Sequence, residues 1–283
     1  RTYNAGIQYK AVFGKSSLVS GVENTGGGLI DTKLGYPDYD NALIINDSIV
    51  SVPHTENTTV ADQKSMTTGI FFQYELKMNS LKAGMGGRFD HYSITDRVAS
   101  SGNKNGNVFS PRINLMYEIF KSLQARVSYS QGYRAPQIFD EDLHIETSGS
   151  RQVINVNDPD LIQETSHSYM ASLDFNSLIG TINTGILAEA FLTRLSNPFV
   201  NEIGIPDENG TVLYTRKNAG SGATVKGINL EFKMKPMQDF SLTAGFTLQK
   251  SLYDTEQQFN EKRFFRTPSD YGFFVADWDF IEN

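Results

Sequence analysis

Hydrophobic and polar residues alternate one by one along much of this chain. In residues 123–130, LQARVSYS, the members Leu123, Ala125, Val127 and Tyr129 are separated by Gln124, Arg126, Ser128 and Ser130. The same alternation recurs in residues 3–11, 70–77, 112–119 and 228–234. A period of two is the side-chain spacing of a β-strand. Since no amphipathic helical pattern is sustained, the sequence predicts an all-β protein.

The connections between these segments alternate between short and long. Short connections are expected near residue 15 and at 78–80, 121–122, 176–178 and 237–239. Long polar connections are expected at roughly 26–64, 96–107, 135–164, 196–224 and 253–270, which assigns the glycines at 26–28 to a loop. This pattern predicts about eleven antiparallel strands, with tight turns at one end and long excursions at the other.

Composition makes a membrane barrel the favoured architecture. The mean hydropathy is −0.35, but a barrel strand shows lipid only every second side chain and needs only about 9 to 11 residues. Soluble sandwiches rarely sort their loops by length in this way. Aromatic residues near the predicted strand ends match interfacial girdles; they are Phe120, Tyr133, Phe175, Phe240 and Tyr271. The sequence therefore predicts an antiparallel, up-and-down transmembrane β-barrel.

The predicted polar faces carry charges of both signs. They are Arg88, Asp90, Arg112, Glu118, Arg126, Asp174, Glu189, Glu231 and Lys233. Lipid rejects such side chains, whereas a wet lumen, or one filled by another domain, accepts them. For any single residue, an ordinary exposed sheet face is the alternative. Six of them are predicted to line the lumen or a substrate path: Arg88, Asp90, Arg112, Glu118, Arg126 and Glu231.

Several segments resemble TonB-dependent outer-membrane receptors. VSYSQGYRAPQIFDEDL (residues 127–143) resembles the family's strand ending in Gly, aromatic, Arg, Ala, Pro before an extracellular loop. GRFDHYSITD (87–96) and FSPRINLMYEI (109–119) resemble its R-x-D and S-P-R strands on either side of a loop. NDPDLIQETSHSYMASLDF (157–175) resembles its N-P-x-L-x-P-E re-entry segment, with Gln163 in place of proline and Asp158 inserted before Pro159. RTPSDYGFF (266–274) resembles a re-entry segment of relatives from Bacteroidetes-type bacteria.

The resemblance implies an importer of the bacterial outer membrane. The family barrel has 22 strands, is plugged by an amino-terminal domain and is driven by an inner-membrane TonB complex. On this expectation, residues 1–283 are a partial barrel, and the plug and the carboxyl-terminal strands are absent. The implied cargo is a small-molecule iron or cobalt complex, such as a ferric siderophore or a cobalamin-like compound. The lipid bilayer and lipopolysaccharide are further expected partners.

The segment after the strand at 123–134 supplies candidate loop ligands for the cargo. They are Tyr133, Arg134, Phe139, Asp140, Asp142 and His144. Carboxylates of this segment suit a hard cation, and His144 suits a transported metal complex; a solvated loop face is the alternative. PDYDN (37–41) has a D-x-D spacing that suits a loop calcium but lacks the glycine and distal glutamate of an EF-hand. No definite metal site or cofactor is predicted.

Other function classes are less favoured. The net charge of −7 disfavours nucleic acid as a partner, and the absence of cysteine excludes thiolate metal sites and disulfides. No Ser-His-acid arrangement or spaced carboxylate pair suggests an enzyme. The alternative to an importer is a surface or soluble β-protein that binds carbohydrate or protein, in which the aromatic-rich faces form a core.

Overall fold

The computed structural model describes residues 1–33, 35, 37–98, 103–136, 153–207, 212–257, 260–265 and 267–279. These residues form the strands β1 (Thr2–Phe13), β2 (Ser16–Lys33), β3 (Leu43–Ile45), β4 (Ser48–Ser51), β5 (Thr58–Met78), β6 (Leu81–Asp96), β7 (Lys104–Phe120), β8 (Leu123–Arg134), β9 (Val153–Asn157), β10 (Glu164–Ile179), β11 (Ile182–Ser196), β12 (Phe199–Ile203), β13 (Val212–Asn218), β14 (Ala223–Met237), β15 (Phe240–Tyr253) and β16 (Asp270–Trp278). Within this part of the chain, no helix is long and apolar enough to cross a membrane.

Eleven strands form one antiparallel sheet, in the order β1-β2-β5-β6-β7-β8-β10-β11-β14-β15-β16. Neighbours in the sheet are also successive long strands in the sequence, which makes the sheet an up-and-down meander. The predicted strand number and fold class are thus confirmed. As far as the structure describes the chain, the sheet ends at β1 and β16 and these two strands do not pair with each other.

Two-residue turns join the strands at one end of the sheet, at residues 14–15, 79–80, 121–122, 180–181 and 238–239. Gly14 has φ 57°, Asn79 has φ 43° and Gly180 has φ 64°. Tight hairpins whose twist matches that of the strands need this left-handed conformation. The turn predicted at 176–178 lies instead at 180–181, because β10 continues to Ile179.

The predicted long loop at 26–64 is wrong in extent. β2 has 18 residues and β5 has 21, and their pairing continues to Lys33 and Thr58. The glycines at 26–28 therefore lie in β2 and not in a loop. Backbone ladder hydrogen bonds need no apolar side chain, so this polar part of the hairpin stays paired although its sequence shows no hydrophobic alternation.

Apolar side chains cover one face of the sheet and are exposed there. Ile7 is 83% exposed, Ile70 60% and Met85 55%. The buried cluster is small and consists of Tyr92, Ile94 and Val108, with Tyr133 and Ala135 packed against it. The aromatic-rich faces are therefore not the core of a soluble domain; they form a surface that suits lipid.

Candidate functional site on the inner face of the sheet

Register assigns the predicted lumen residues to one face. Phe71 of β5, Arg88 of β6 and Ser110 of β7 lie directly opposite one another, and Arg112 lies opposite Ser130 of β8. Side chains opposite each other on paired strands share a face. Carried across the sheet, this register places all six candidates on the face opposite the exposed apolar one: Arg88, Asp90, Arg112, Glu118, Arg126 and Glu231. We call this the inner face.

A charged network lies on the inner face of β2 and β6. Arg88 Nε donates to both carboxylate oxygens of Asp90 at 2.7 and 2.9 Å, and Arg88 Nη1 donates to Glu23 Oε2 at 2.6 Å. Asn4 Nδ2 donates to the other Glu23 oxygen at 2.9 Å. The Asp90 side chain is 4% exposed, and the guanidinium, through this bifurcated hydrogen bond from Nε, supplies the charge compensation that a buried carboxylate needs.

Gly69 makes room for this network. It lies opposite Asp90 in the β5–β6 register and opposite Glu23 in the β2–β5 register. A Cβ at this position would overlap Asp90 Oδ1 and lie 2.5 Å from Arg88 Nη2. The arginine and its two carboxylates therefore pack directly over the bare backbone of β5.

A cavity of about 780 Å³ opens on the inner face beside the network. Its lining runs from Gly6 of β1 to Ser166 of β10 and includes Glu23, Arg88 and Arg112. Because residues from the first to the seventh strand of the sheet line one cavity, the sheet curves around it. The structure thus brings Arg88 and Arg112 to one cavity, and Asp90 lies beside it, bound to Arg88.

The other lumen candidates lie outside this cavity. Arg126 and Glu118 lie closer to the β7–β8 turn, and Arg126 Nη2 contacts Met116 Sδ at 3.8 Å. Glu231 lies on β14 and pairs with Lys233 at 2.6 Å. These three residues lie on the inner face but outside the cavity and the charged network.

Tyr133 lies at the end of β8 and not in a free loop. Its ring stacks on Tyr92 with centroids 6.0 Å apart, and its hydroxyl interacts with Asp90 and Thr67. The Tyr92 hydroxyl donates to Gln163 Oε1 at 2.9 Å. Gln163, which stands where the resembling family segment has proline, therefore links the start of β10 to β6 through this hydrogen bond.

A small sheet links the two long connections beside β10. It has the order β12-β13-β9, and β13 runs parallel to β9. Asn218 Nδ2 donates to the carbonyls of Ile162 and Asn197 at 3.0 and 2.8 Å, and Asn218 Oδ1 accepts from the Ile162 amide at 2.9 Å. We call β9, β12 and β13 the loop sheet.

Two arginines meet at the loop sheet. The guanidinium carbons of Arg134 and Arg216 lie 5.3 and 6.0 Å from the ring centroid of Phe199, within cation–π range. Burial, with the charge of Arg134 as a second cause, lowers the pKa of Arg216 to about 10. Arg134, predicted as a loop ligand, thus contacts this junction.

The remaining loop candidates, Phe139, Asp140, Asp142 and His144, lie outside the described residues. In the predicted calcium segment, Asp38 accepts hydrogen bonds from the Asn41 amide nitrogen and side chain at 3.2 and 2.7 Å, as in a turn. Within the described ranges, no group of three or more His, Asp or Glu side chains is arranged to hold a metal ion.

Glu23 is the site residue that the sequence pattern missed. It pairs with Arg88 across 65 positions of the sequence, and only the β2–β5–β6 register brings them together. The strand parity of Ser17, Val19 and Gly21 would have placed Glu23 on the inner face, but the expected start of a loop at residue 26 obscured that strand.

This geometry defines a curved, transmembrane β-barrel wall with an apolar outer face and a charged inner face. A family model described as TonB dependent receptor-like, beta-barrel matches residues 1–283. The chain belongs to the TonB-dependent receptor family, and its location is the bacterial outer membrane. A search of curated proteins found no match.

Solved structures show the same fold. The chain is similar to the ferric-catecholate import receptor Fiu from E. coli K12, with TM-score 0.66 and 14% identity over 99% of this chain and 42% of that one. It is also similar to P. aeruginosa FpvA bound to a ferric pyoverdine, with TM-score 0.66 and 16% identity over 99% and 36%. The copper transporter OprC matches with TM-score 0.68 and 11% identity over 97% and 40%. The chain thus spans about two fifths of these structures.

Proposed function

We propose that this chain forms part of the wall of an active importer that brings a scarce metal complex across the outer membrane. The observation that carries the proposal is the charged cavity on the inner face, bounded by Arg88, Arg112 and Glu23. The names of the similar structures, a ferric-catecholate import receptor, a ferric pyoverdine receptor and a copper transporter, support a metal-containing cargo. A ferric siderophore or a cobalamin-like compound is the proposed class.

The three inner-face arginines have different roles in this proposal. Arg88 is held by two carboxylates, so its charge is compensated and it shapes the cavity wall. Arg112 forms no ion pair with any described residue, and in that part of the chain the Met116 sulfur is the only hydrogen-bond partner of the Arg126 side chain. Arg112 and Arg126 are therefore the side chains proposed to attract an anionic cargo.

The plug and the TonB complex are the proposed protein partners. A plug domain in the lumen would cover the half-exposed polar residues of the inner face, and TonB would supply the energy to displace it. The proposed first contacts for the cargo remain the two residues at the end of β8 and four that follow it in the sequence: Tyr133, Arg134, Phe139, Asp140, Asp142 and His144.

Uptake by whole cells tests the function. Cells lacking the intact gene, with and without a complementing copy, are given labelled ferric catecholate, ferric hydroxamate, cobalamin, copper and oligosaccharide. The proposal expects one metal-containing cargo to be taken up only with the gene, and an uncoupler to abolish that uptake. The proposal is contradicted if gene-dependent uptake is insensitive to the uncoupler. It is also contradicted if the complementing copy restores the uptake of none of these compounds.

The double change Arg112→Gln with Arg126→Gln tests the proposed route of the cargo along the inner face. We expect uptake of an anionic cargo at subsaturating concentration to fall by about tenfold, because two uncompensated positive charges are lost from the lumen. The control is Lys15→Gln with Lys121→Gln, which removes the same charge from two exposed tight turns. Equal uptake by the two variants would show that Arg112 and Arg126 do not attract the cargo.

A further inference from the structure

The outer face of β14 and β15 changes from apolar to basic towards the long connections. On β14 the outward residues Phe232, Leu230 and Ile228 are followed by Lys226, and on β15 Phe246 and Leu248 are followed by Lys250. Lys226 and Lys250 lie directly opposite each other in the register, and both are exposed. Two ammonium groups are thus adjacent at one edge of the apolar surface.

No described acidic side chain forms an ion pair with Lys226 or Lys250. Neither forms an ion pair or a side-chain hydrogen bond with any residue in the described ranges. Arg194, on the same face of β11, differs because Asp254 binds it at 3.0 and 2.5 Å. Like charges directly opposite on paired strands are destabilising, so an anion that contacts both lysines would stabilise this part of the sheet.

A groove of about 640 Å³ lies between these lysines and the apolar surface. Leu192, Ile228 and Leu248 line it together with Lys226 and Lys250. One acid, Asp270, also lines it; Ser269 Oγ donates to Asp270 at 2.9 Å. The groove therefore combines an apolar floor with a net positive rim, which complements a lipid with an anionic headgroup.

The position of the groove along the strands determines which membrane leaflet the groove contacts. Short turns of outer-membrane barrels are periplasmic and long connections are extracellular, so the lysines face the outer leaflet. Tyr169, two strands from Lys226 in the same row and 5.1 Å from Tyr129 between ring centroids, is an aromatic of the kind found at membrane interfaces.

We propose that Lys226 and Lys250 bind the phosphate groups of an outer-leaflet lipid of the lipopolysaccharide class, whose acyl chains lie on Leu192, Ile228 and Leu248. The site rests on the outer-membrane location of the family and not on the identity of the cargo. A lipid-binding measurement can therefore fail while the uptake test succeeds, and the reverse.

Native mass spectrometry of the full-length receptor in detergent tests the proposal, with bisphosphorylated lipid A and its dephosphorylated form as probes. The wild type is expected to prefer the phosphorylated lipid. Each lysine near an anionic surface contributes about fivefold in affinity, so Lys226→Gln with Lys250→Gln should weaken binding roughly 30-fold. The double change to arginine should retain binding, and Asp270→Asn should strengthen it.

The matched control is Lys77→Gln with Lys235→Gln, two exposed lysines on the inner face. Its affinity for the phosphorylated lipid should equal that of the wild type. The proposal is overturned if the glutamine variant at 226 and 250 binds as tightly as the control, if the dephosphorylated lipid binds equally well, or if Asp270→Asn weakens binding.

Discussion

Gly69 shows how a single residue determines the chemistry of the inner face. The Arg88–Asp90 pair occupies the space that a side chain at position 69 would need, and Glu23 completes the network from a third strand. Small residues that let charged side chains pack on the backbone leave no room for an added methyl group.

The substitution Gly69→Ala is therefore expected to lower the free energy of unfolding of the full-length receptor by about 1–3 kcal/mol. Denaturant titration in detergent measures it. The control Gly28→Ala lies in β2, where the added Cβ meets the Gln63 carbonyl oxygen at 4.0 Å, and should change stability by less than about 0.5 kcal/mol.

A mutant cycle connects this cost to the network. In an Arg88→Gln background the guanidinium contact is lost and the Asp90 carboxylate is no longer held over position 69, so the cost of Gly69→Ala should shrink. A cost that is the same with arginine and glutamine at position 88 would show that the clash of the methyl group does not depend on the ion pair.

The sequence alone predicts the face on which individual charged residues lie, but not their partners on distant parts of the chain. Arg88 and Asp90 were placed on the polar face by alternation alone, because parity is a local property of a strand. Glu23 and Gln163 were missed as partners, because each contact joins residues 65 or 71 positions apart in the sequence that are not on neighbouring strands of the sheet.

The long strands of the wall are easier to predict from the sequence than the strands of the loop sheet. Wall strands alternate because lipid and lumen impose opposite polarities on their two faces. The polar extension of the β2–β5 hairpin has no such contrast, so its length was not predictable. The loop sheet depends on the parallel pairing of β9 with β13 across about 60 residues, for which a single sequence gives no signal.

A proline in the central strand of the loop sheet tests its cohesion. Thr215 pairs with Glu202 of β12 and Val156 of β9, and Thr215→Pro removes a ladder donor. We expect amide hydrogen exchange to increase together in residues 199–203, 212–218 and 153–157, while β10, β11 and β14 keep their protection. Thr215→Ala, which keeps the amide, is the control.

Faster exchange confined to residues 212–218 would show that the two long connections are independent of each other. Simultaneous loss of protection in β10 or β14 would instead show that the loop sheet and the wall unfold as one unit.

For the whole molecule, the open edges of the sheet govern behaviour in solution. Among the described strands, β1 and β16 each pair with only one neighbour, and their free backbone groups can recruit other strands. The 283-residue chain expressed alone is expected to need detergent and to form dimers or larger species within it.

Size-exclusion chromatography with light scattering measures this state. A monodisperse monomer in buffer without detergent would contradict the assignment of the exposed apolar face to lipid, because such a face does not stay in water alone.

The central claim is that alternate residues of the wall face lipid and lumen, and spin labelling of β8 tests it most directly. The chain has no cysteine, so single cysteines at positions 124 to 130 of the full-length receptor, cleared of any other cysteine, can each carry a nitroxide in lipid bilayers. Power saturation should show oxygen accessibility that oscillates with a period of two, with maxima at Ala125, Val127 and Tyr129. Maxima at Gln124, Arg126 and Ser128, or the absence of any oscillation, would contradict the account.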